Sequence, residues 1–296
     1  MSKLVARIGV PALTVLALAG CGGSSSSSST TTAPAAASTA NASIAAQVPA
    51  AIKSKGTLTV AADATYAPNE LIAADGHTVI GMDADLMKAL AETMGLKVNI
   101  ANATFDTIIP GLAAGKYDVG ASSFTDTKER QKTVDFVTYF NAGISFYGKS
   151  NPGVNTVADL CGKTVSVEKG TTEEEESKAQ SGKCTKAGKK AVTALVFPDQ
   201  NAANLAISSG RAELGMADSP VAAYAVKQSS GTFKLIGQTY GTAPYGLALP
   251  KGNGLAKPIQ AALKELIANG TYMKILEKWG VQSGAITTPE INGAKS

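Results

Sequence analysis

The chain has 296 residues, of which 44% are hydrophobic and 17% charged, so most of it should fold as one large domain or two ordinary ones. Its formal net charge of +4 is too small for the concentrated basic face of a nucleic-acid-binding protein. Three Cys and one His exclude His-rich metal sites and zinc-ribbon spacing, and we expect neither a metal nor a cofactor. The histidine, His77, lies in Ala-Asp-Gly-His-Thr, which is typical of an exposed hairpin turn.

The amino terminus has the pattern of an export signal. Lys3 and Arg7 form a short basic start, and residues 8–19 are uncharged and mostly apolar but too few to span a bilayer. The stretch runs into Leu18-Ala19-Gly20-Cys21, which resembles the lipobox of bacterial lipoproteins. The resemblance implies that residues 1–20 are a cleaved signal peptide. It also implies that Cys21 carries the lipid, palmitate included, that anchors the protein to the outer face of the cell membrane. The alternative is an ordinary signal peptide with an incidental cysteine.

The segment after Cys21 has the composition of a flexible tether. Residues 22–50 are mostly Gly, Ser, Thr, Ala and Pro, without any charge. Such a stretch cannot bury enough apolar surface to order itself, so we predict that residues 21–52 are disordered. If Cys21 is lipidated, Cys161 and Cys184 remain in a protein exported to an oxidising compartment, and we predict that they form a disulfide. Their spacing excludes a catalytic Cys-x-x-Cys pair.

The first folded part alternates strands with helices. In its first helix, apolar side chains recur every four positions at Leu86, Leu90 and Met94. The predicted elements are a strand at 57–62, a helix that Asp83 caps and Gly95 ends, a strand at 98–101, a helix that ends at Gly115, and a strand at 117–120. This order predicts a parallel α/β sheet.

A second, similar series begins near residue 154. Its predicted strands lie at 164–167, 192–196, 213–216 and 233–236, and its predicted helices run from Thr171 onward and at 201–208 and 221–227. Two extended stretches, 143–149 and 245–249, follow the first and second series. Two more helices are predicted at 259–268 and 271–279, and residues 282–296 carry no readable pattern.

Nine short motifs, in order and at consistent spacing, resemble one family. They are Asp63-Ala64-Thr65-Tyr66-Ala67-Pro68, Gly81 to Leu86, Phe105 to Pro110, Ser122 to Arg130, Val134-Asp135-Phe136, Gly162-Lys163 with Gly170-Thr171-Thr172, Ala217-Asp218, Tyr245-Gly246-Leu247, and Asn269 to Tyr272 with Trp279. Across roughly residues 56–280 the chain resembles the polar amino-acid-binding proteins of ABC importers, solute-binding protein family 3. This group holds the glutamine-binding and the histidine- and lysine-arginine-ornithine-binding proteins.

The resemblance implies an α/β fold of two lobes joined by two hinge strands, the type II architecture of periplasmic binding proteins. Lobe 1 would comprise residues 53–145 and 246–281, because the chain crosses to the second lobe and returns. Lobe 2 would comprise residues 146–245, and residues 282–296 would be a C-terminal tail. The extended stretches at 143–149 and 245–249 match the family's hinges.

The resemblance also implies how the ends of a free amino acid are held. Arg130 would clamp the α-carboxylate with its planar guanidinium, with backbone N–H groups of Thr125 and Thr172 as further donors. Asp218, which follows an apolar strand, would accept the α-ammonium together with the Ser123 carbonyl and the Thr125 hydroxyl. From the residues alone, Arg130 could instead be a surface arginine, and Asp218 could cap the helix that Pro220 begins.

The remaining implied contacts concern the ligand side chain. Tyr66 and Phe105 would sandwich its aliphatic part, and Phe124 and Thr171 complete the predicted set. Asp63 and Glu168 map near the end of the side chain, which favours arginine, lysine, ornithine or glutamine over acidic ligands. Glu168 could instead pair with a neighbouring lysine. One residue departs from the family pattern: Asn69 stands where Phe is common, and the amide would make that wall of the pocket more polar.

These features predict a binding protein and not an enzyme. The resemblance implies a monomer that closes on an amino acid and delivers it to an ABC-transporter permease. One alternative is a cyclohexadienyl dehydratase, since some relatives with this fold are such enzymes and Glu173 lies near the predicted pocket. The run Glu173 to Glu176 is, however, more consistent with a solvent-facing first helical turn. Another alternative is a lipoprotein that senses the same ligand.

Overall fold

The computed structural model describes residues 40–294. Each strand and helix predicted between residues 57 and 279 is present, most with bounds shifted by a few residues. The exception is the predicted strand at 233–236, which continues through the extended stretch at 245–249 as one strand over residues 234–250. In chain order the elements are α1 (Ala42–Gln47), α2 (Ala50–Lys55), β1 (Thr57–Ala62), β2 (Leu71–Ile72), β3 (Val79–Ile80), α3 (Met82–Thr93), β4 (Lys97–Asn102), α4 (Phe105–Ala113), β5 (Val119–Gly120), β6 (Val134–Gly148), β7 (Thr164–Glu168), α5 (Thr172–Lys186), β8 (Thr193–Phe197), α6 (Gln200–Ser208), β9 (Leu214–Asp218), α7 (Ser219–Gln228), β10 (Lys234–Pro250), α8 (Ala256–Ala268) and α9 (Thr271–Trp279).

Two long strands run through both halves of the molecule. Within the described residues, eight strands are hydrogen-bonded in the order β4-β1-β5-β10-β6-β9-β7-β8. β1 is parallel to β4 and β5, and β7 is parallel to β8 and β9. β6 and β10 pair with each other as antiparallel neighbours at the centre. Each parallel set has its own helices, so the fold has two lobes.

Each lobe has its own hydrophobic core, and the change between the cores falls within β6 and β10. On β6, Ala142 packs in the core of lobe 1, whereas Ile144 packs in the core of lobe 2. On β10, Ile236 belongs to the second core and Tyr245 to the first. The pairing of the two strands is irregular between residues 236 and 246 of β10. We call residues 140–144 and 237–246 the hinge segment.

The start of α3 differs from the sequence prediction. Its N-cap is Gly81, with φ of 134°, and not Asp83. Here the chain passes so close to Asn69 that an added Cβ at Gly81 would lie 2.1 Å from the Asn69 carbonyl oxygen. Asp83 is wholly buried, and its carboxylate accepts hydrogen bonds from Ser123 N (2.9 Å) and from Tyr139 Oη (2.7 Å). The prediction that Asp83 caps the helix is therefore wrong, because these donors in lobe 1 take up its carboxylate.

The predicted disordered tether is wrong for its last part. α1 and the start of α2 lie within residues 21–52, and Asn41 caps α1 by accepting from Ser43 N at 3.1 Å. Ile44 and Val48 are buried in the core of lobe 1, because their spacing of four places them on one face of the chain. The predicted signal peptide, Cys21 and the rest of the tether lie outside the described residues.

Three further features bear on the predictions. A disulfide joins Cys161 to Cys184 within lobe 2. His77 is exposed in the turn between β2 and β3, so the predicted hairpin is confirmed. Across residues 40–294, no helix is both long and apolar enough to cross a membrane.

Candidate functional site

The candidate site lies between the lobes, which contact each other directly. Arg130 Nη2 of lobe 1 donates to the Gly170 carbonyl of lobe 2 at 3.0 Å. Lys169 Nζ lies 2.8 Å from Asp106 Oδ2 across the same boundary. The lobes are therefore closed on each other, and the side chains between them are shielded from solvent.

Arg130 is fixed by contacts on both sides of its guanidinium. It begins a short 3-10 turn, and its Nη1 donates to the Thr125 carbonyl at 2.9 Å. The guanidinium lies over the rings of Phe105 and Phe124, at 5.4 and 5.6 Å from their centroids. Burial lowers the pKa of Arg130, while nearby carboxylates, including Asp218, oppose this change. An arginine side chain stays charged under such conditions, so the site holds a fixed cation.

Two aromatic rings stand parallel in the site. The rings of Tyr66 and Phe105 have centroids 5.9 Å apart and planes 8° apart. Phe105 in turn stacks on Phe124 at 4.4 Å. Tyr66 comes from the loop after β1 of lobe 1, yet it packs among residues of lobe 2 such as Ala217. The rings thus form apolar walls that both lobes support.

The Asp63 carboxylate is already engaged by protein donors. Its Oδ1 accepts from Thr65 N (3.1 Å) and Thr65 Oγ1 (2.7 Å), and its Oδ2 accepts from Phe105 N (2.9 Å). Asp63 therefore joins the loop after β1 to the start of α4. Burial nevertheless raises the pKa of Asp63. Its contribution to the site is a negative charge and the position of Phe105, with little hydrogen-bonding capacity left.

Glu168 differs from Asp63 in that its carboxyl group is not engaged by protein donors. It ends β7 and is 1% exposed, and neither carboxyl oxygen has a hydrogen-bond partner among the described residues. Burial, with the charges of Asp63 and Asp199 nearby, raises the pKa of Glu168 to about 10. A buried carboxyl without donors costs several kcal/mol when it is ionised. This group is therefore suited to meet a cation or a donor that enters from outside.

Asp218 and Glu173 form a pair of buried carboxyls beside Arg130. Asp218 ends β9 and stands at the N-cap of α7, but its side chain makes no capping bond, so it is free to face the site. Glu173 is 2% exposed, and its Oε1 has no partner among the described residues. Burial raises the pKa of both groups, and the neighbouring Glu173 raises that of Asp218 further. The two carboxyls can together hold an ammonium group.

Sequence reasoning did not include Glu173 in the binding set. The expectation that Glu173 to Glu176 all face solvent is wrong for Glu173, which lies on the buried face of α5. That face also carries Ser177, Gln180 and Cys184, at helical spacing. Counting back from the cysteine, which the predicted disulfide directs inward, would have identified Glu173.

The polar residues around these charges mostly hold the backbone in place. Ser123 has a left-handed backbone, with φ of 52°, and its hydroxyl accepts from Asn69 Nδ2 at 2.9 Å. Asn69 is wholly buried behind Ser123. Thr171 caps α5 by accepting from Glu174 N, and it donates to the Glu168 carbonyl at 2.7 Å. The Thr172 hydroxyl donates to Glu173 Oε2 at 3.2 Å. Tyr66, Phe105 and Arg130 of lobe 1 thus lie close to Glu168 and Asp218 of lobe 2, whereas the Ser123 hydroxyl is taken up within lobe 1.

The site holds more acidic side chains than basic ones. Four carboxyl groups, those of Asp63, Glu168, Glu173 and Asp218, lie buried in the site, which also holds Arg130. A single anionic group can pair with Arg130, whereas the carboxyls can pair with more than one cationic group. The arrangement suits a small molecule that carries one carboxylate and two cations better than it suits an anion.

Comparison with known proteins gives consistent relatives. Residues 58–282 match the family of bacterial extracellular solute-binding proteins, family 3. The arginine-binding protein ArgT of Corynebacterium glutamicum is 35% identical over 251 residues, covering 84% of this chain and 82% of the relative. A solved ancestral arginine-binding protein bound to glutamine is 39% identical with a TM-score of 0.70, covering 76% of this chain and 98% of that one.

A third relative bears on the predicted alternative. The solved ancestral amino acid-binding protein AncCDT-1, a precursor of cyclohexadienyl dehydratase, is 35% identical with a TM-score of 0.69, and the match covers 77% of this chain and 97% of that one. That protein is named as an amino acid-binding protein, and the other two relatives are named as arginine-binding proteins. The match over most of the chain establishes that this protein belongs to family 3 of the bacterial extracellular solute-binding proteins.

Proposed function

We propose that this protein captures a basic L-amino acid, arginine first, between its lobes and delivers it to the permease of an ABC importer. The observation that carries the proposal is Glu168, a buried carboxyl with no donor among the described residues, on the opposite lobe from Arg130. A free amino acid with a cationic side chain would supply a partner to each of these groups. The names of relatives that bind arginine support the same ligand.

The residues divide the ligand into three parts. Arg130 takes the α-carboxylate as a planar fork. Asp218 and Glu173 take the α-ammonium, and the rings of Tyr66 and Phe105 cover the aliphatic stem. Glu168 takes the guanidinium, and the negative charge of Asp63 lies near it. Each of these side chains thus gains a charge or packing partner from the ligand in place of water.

The same geometry ranks the other ligands. Because the pKa of Glu168 is raised to about 10, a neutral ligand meets a protonated carboxyl that can donate to an amide oxygen. Glutamine is therefore a weaker second ligand, in line with a relative solved with glutamine. A carboxylate side chain would lie near the negative charge of Asp63, and like charges in a shared buried site repel. Glutamate and aspartate are expected not to bind.

Titration calorimetry with the twenty common amino acids and ornithine tests the proposal. We expect arginine to bind most tightly, with Kd in the micromolar range or below, equivalent to about −8 kcal/mol or better. Arg130→Ala should weaken it by about 2 kcal/mol or more, because the ligand carboxylate loses its charged partner. Arg211→Ala is the matched control, since Arg211 is exposed on lobe 2. Failure of every amino acid to bind, or an unchanged Kd in Arg130→Ala, would contradict the proposal.

The proposal extends to the membrane. As a monomer held by a lipid on Cys21, with residues 1–20 removed, the protein would present its closed form to the permease at the outer face of the membrane. Cys21→Ser should release it from the membrane fraction into the medium. If this variant stays with the membrane after a high-salt wash, the predicted lipid anchor is wrong.

Glu173 favours a second candidate, an acid-catalysed dehydratase. Its carboxyl is buried, and burial raises its pKa, as a general acid requires. The dehydratase substrates arogenate and prephenate carry ring carboxylates, however, and the negative charge of Asp63 disfavours such anions. Incubation with either substrate, followed by detection of phenylalanine or phenylpyruvate, distinguishes the two. We expect no product above the uncatalysed rate.

A further inference from the structure

The C-terminal strap, residues 285–294, is an ordered segment beyond the part that matches the family. It covers the edge that β6 presents in lobe 1. Thr138 N donates to the Glu290 carbonyl at 2.8 Å, and Asn292 N donates to the Phe136 carbonyl at 2.9 Å. Ile291 forms an antiparallel bridge with Val137. The strap therefore adds a short strand to an edge that would otherwise have unpaired backbone groups.

Further contacts hold the strap to lobe 1 before it reaches this edge. Ile286 N donates to Tyr272 Oη at 3.0 Å, and Gln260 Nε2 donates to the Pro289 carbonyl at 2.8 Å. Gly284, just before the strap, lies so close to Phe140 that an added Cβ would be 2.1 Å from the ring. The segment is thus fixed along its length, and its end is placed with little freedom.

The end of the strap reaches the turn that carries Arg130. Ala294 N donates to Asp126 Oδ2 at 3.1 Å in a buried contact. Gln131 Nε2 donates to Asp126 Oδ1 at 2.7 Å, and Asp126 N donates to the Pro244 carbonyl at 2.9 Å. Asp126 is 3% exposed, so its carboxylate depends on these protein donors. The strap and Gln131 together fix the carboxylate that spans the Arg130 turn.

We propose that the strap is a positioning element for ligand binding: through Asp126 it sets the turn from which Arg130 reaches the ligand carboxylate. This inference rests on the proposed function. Without the strap, the buried Asp126 carboxylate loses a donor and must find water or another group, and a buried carboxylate moves readily toward either. Movement of Asp126 would take Gln131 with it and displace Arg130. Small displacements of a clamping arginine reduce affinity even when its charge is unchanged.

A double-mutant cycle with arginine as the probe tests the strap. A chain that ends at Gly284 should bind arginine about ten-fold more weakly than the full chain. In an Arg130→Lys background, the same truncation should change the Kd by less than two-fold, because the group that the strap positions is already gone. Asp135→Asn is the matched control, since Asp135 accepts from Asn292 of the strap (3.0 Å) but does not contact the Arg130 turn. We expect arginine affinity to be unchanged in that variant.

Each result decides the question. An equal loss in both backgrounds means that the strap supports the fold in general, and it overturns the proposal, as does no loss at all. If the truncated chain does not fold, Asp126→Asn replaces it in the same cycle with the same expected outcomes. If the full chain does not bind arginine, the proposed function fails instead, and the two failures are therefore distinguishable.

Discussion

Substitution of Glu168 by glutamine is the sharpest test of ligand selectivity. Glu168→Gln keeps the size of the side chain and removes only its ability to carry a charge. Because the pKa of Glu168 is raised to about 10, a cationic ligand must supply about 4 kcal/mol to keep this carboxyl ionised at pH 7. A guanidinium that binds it must exceed that cost. Loss of one partner from a buried charge pair usually costs 2–5 kcal/mol.

We therefore expect Glu168→Gln to raise the Kd for arginine by about 100-fold, equivalent to about 3 kcal/mol. The Kd for glutamine should change by less than about three-fold, because the amide of this ligand can pair with a neutral carboxyl or with an amide. The preference for arginine over glutamine should fall by more than about ten-fold. Titration calorimetry at pH 7 with both amino acids measures these changes.

The control for the change in net charge is Glu265→Gln, on the exposed side of α8. We expect it to bind arginine as the wild type does. If the arginine Kd of Glu168→Gln lies within three-fold of wild type, Glu168 does not contact the cation. If the Kd values for arginine and glutamine rise equally, the substitution disturbs the shape of the pocket and Glu168 does not recognise the charge of the ligand.

Three further predictions follow from contacts outside the ligand. Lys169→Ala should weaken arginine binding by about two- to three-fold at low salt and leave it unchanged at 0.5 M salt. The ion pair of Lys169 with Asp106 joins the lobes, but it is exposed and therefore screened by salt. Calorimetry at both salt concentrations measures the difference. Glu70 is wholly buried beside Asp83 in lobe 1, and burial with the charge of Asp83 raises its pKa well above the ordinary 4.5. Its carboxyl therefore favours the native state at low pH, and this advantage is lost as pH rises above about 4.5. The free energy of unfolding of Glu70→Gln, measured with urea, should thus rise relative to that of the wild type between pH 5 and pH 8. If the difference between the two free energies is the same at both pH values, the pKa of Glu70 is not raised. Replacement of Cys161 and Cys184 by alanine should lower the free energy of unfolding by about 3 kcal/mol and leave arginine affinity unchanged, measured by urea unfolding and calorimetry.

Sequence reasoning was strongest where apolar spacing determines an element. Leu86, Leu90 and Met94 predicted α3, because side chains at this spacing lie on one face and all three pack in the core of lobe 1. It was weakest where a polar side chain has two possible partners. Asp83 has the type and place of a helix cap, but a capping bond is worth about 1 kcal/mol, and the donors Ser123 and Tyr139 supply more in a buried setting.

The binding set shows the same limit. Position in a motif predicted that Arg130 and Asp218 belong to one site, and in the structure they lie close enough to change each other's pKa. The motif could not tell that the oxygens of Asp63 are taken by Thr65 and Phe105, since that depends on how two loops meet. The strap was missed because it is held largely through its own backbone N–H and C=O groups, which leave no trace in its side-chain pattern.

The irregular pairing between β6 and β10 has a consequence for how binding can be altered. The ladders on either side are regular, so rotation of the lobes is confined to backbone bonds of the hinge segment. Tyr240 and Tyr245 of the hinge segment lie near Glu173 and Asp218. Substitutions at hinge positions away from these carboxyls, such as Gly241, can shift the population of open and shut forms, and so raise or lower affinity for every ligand alike, while the order of preference among ligands stays the same.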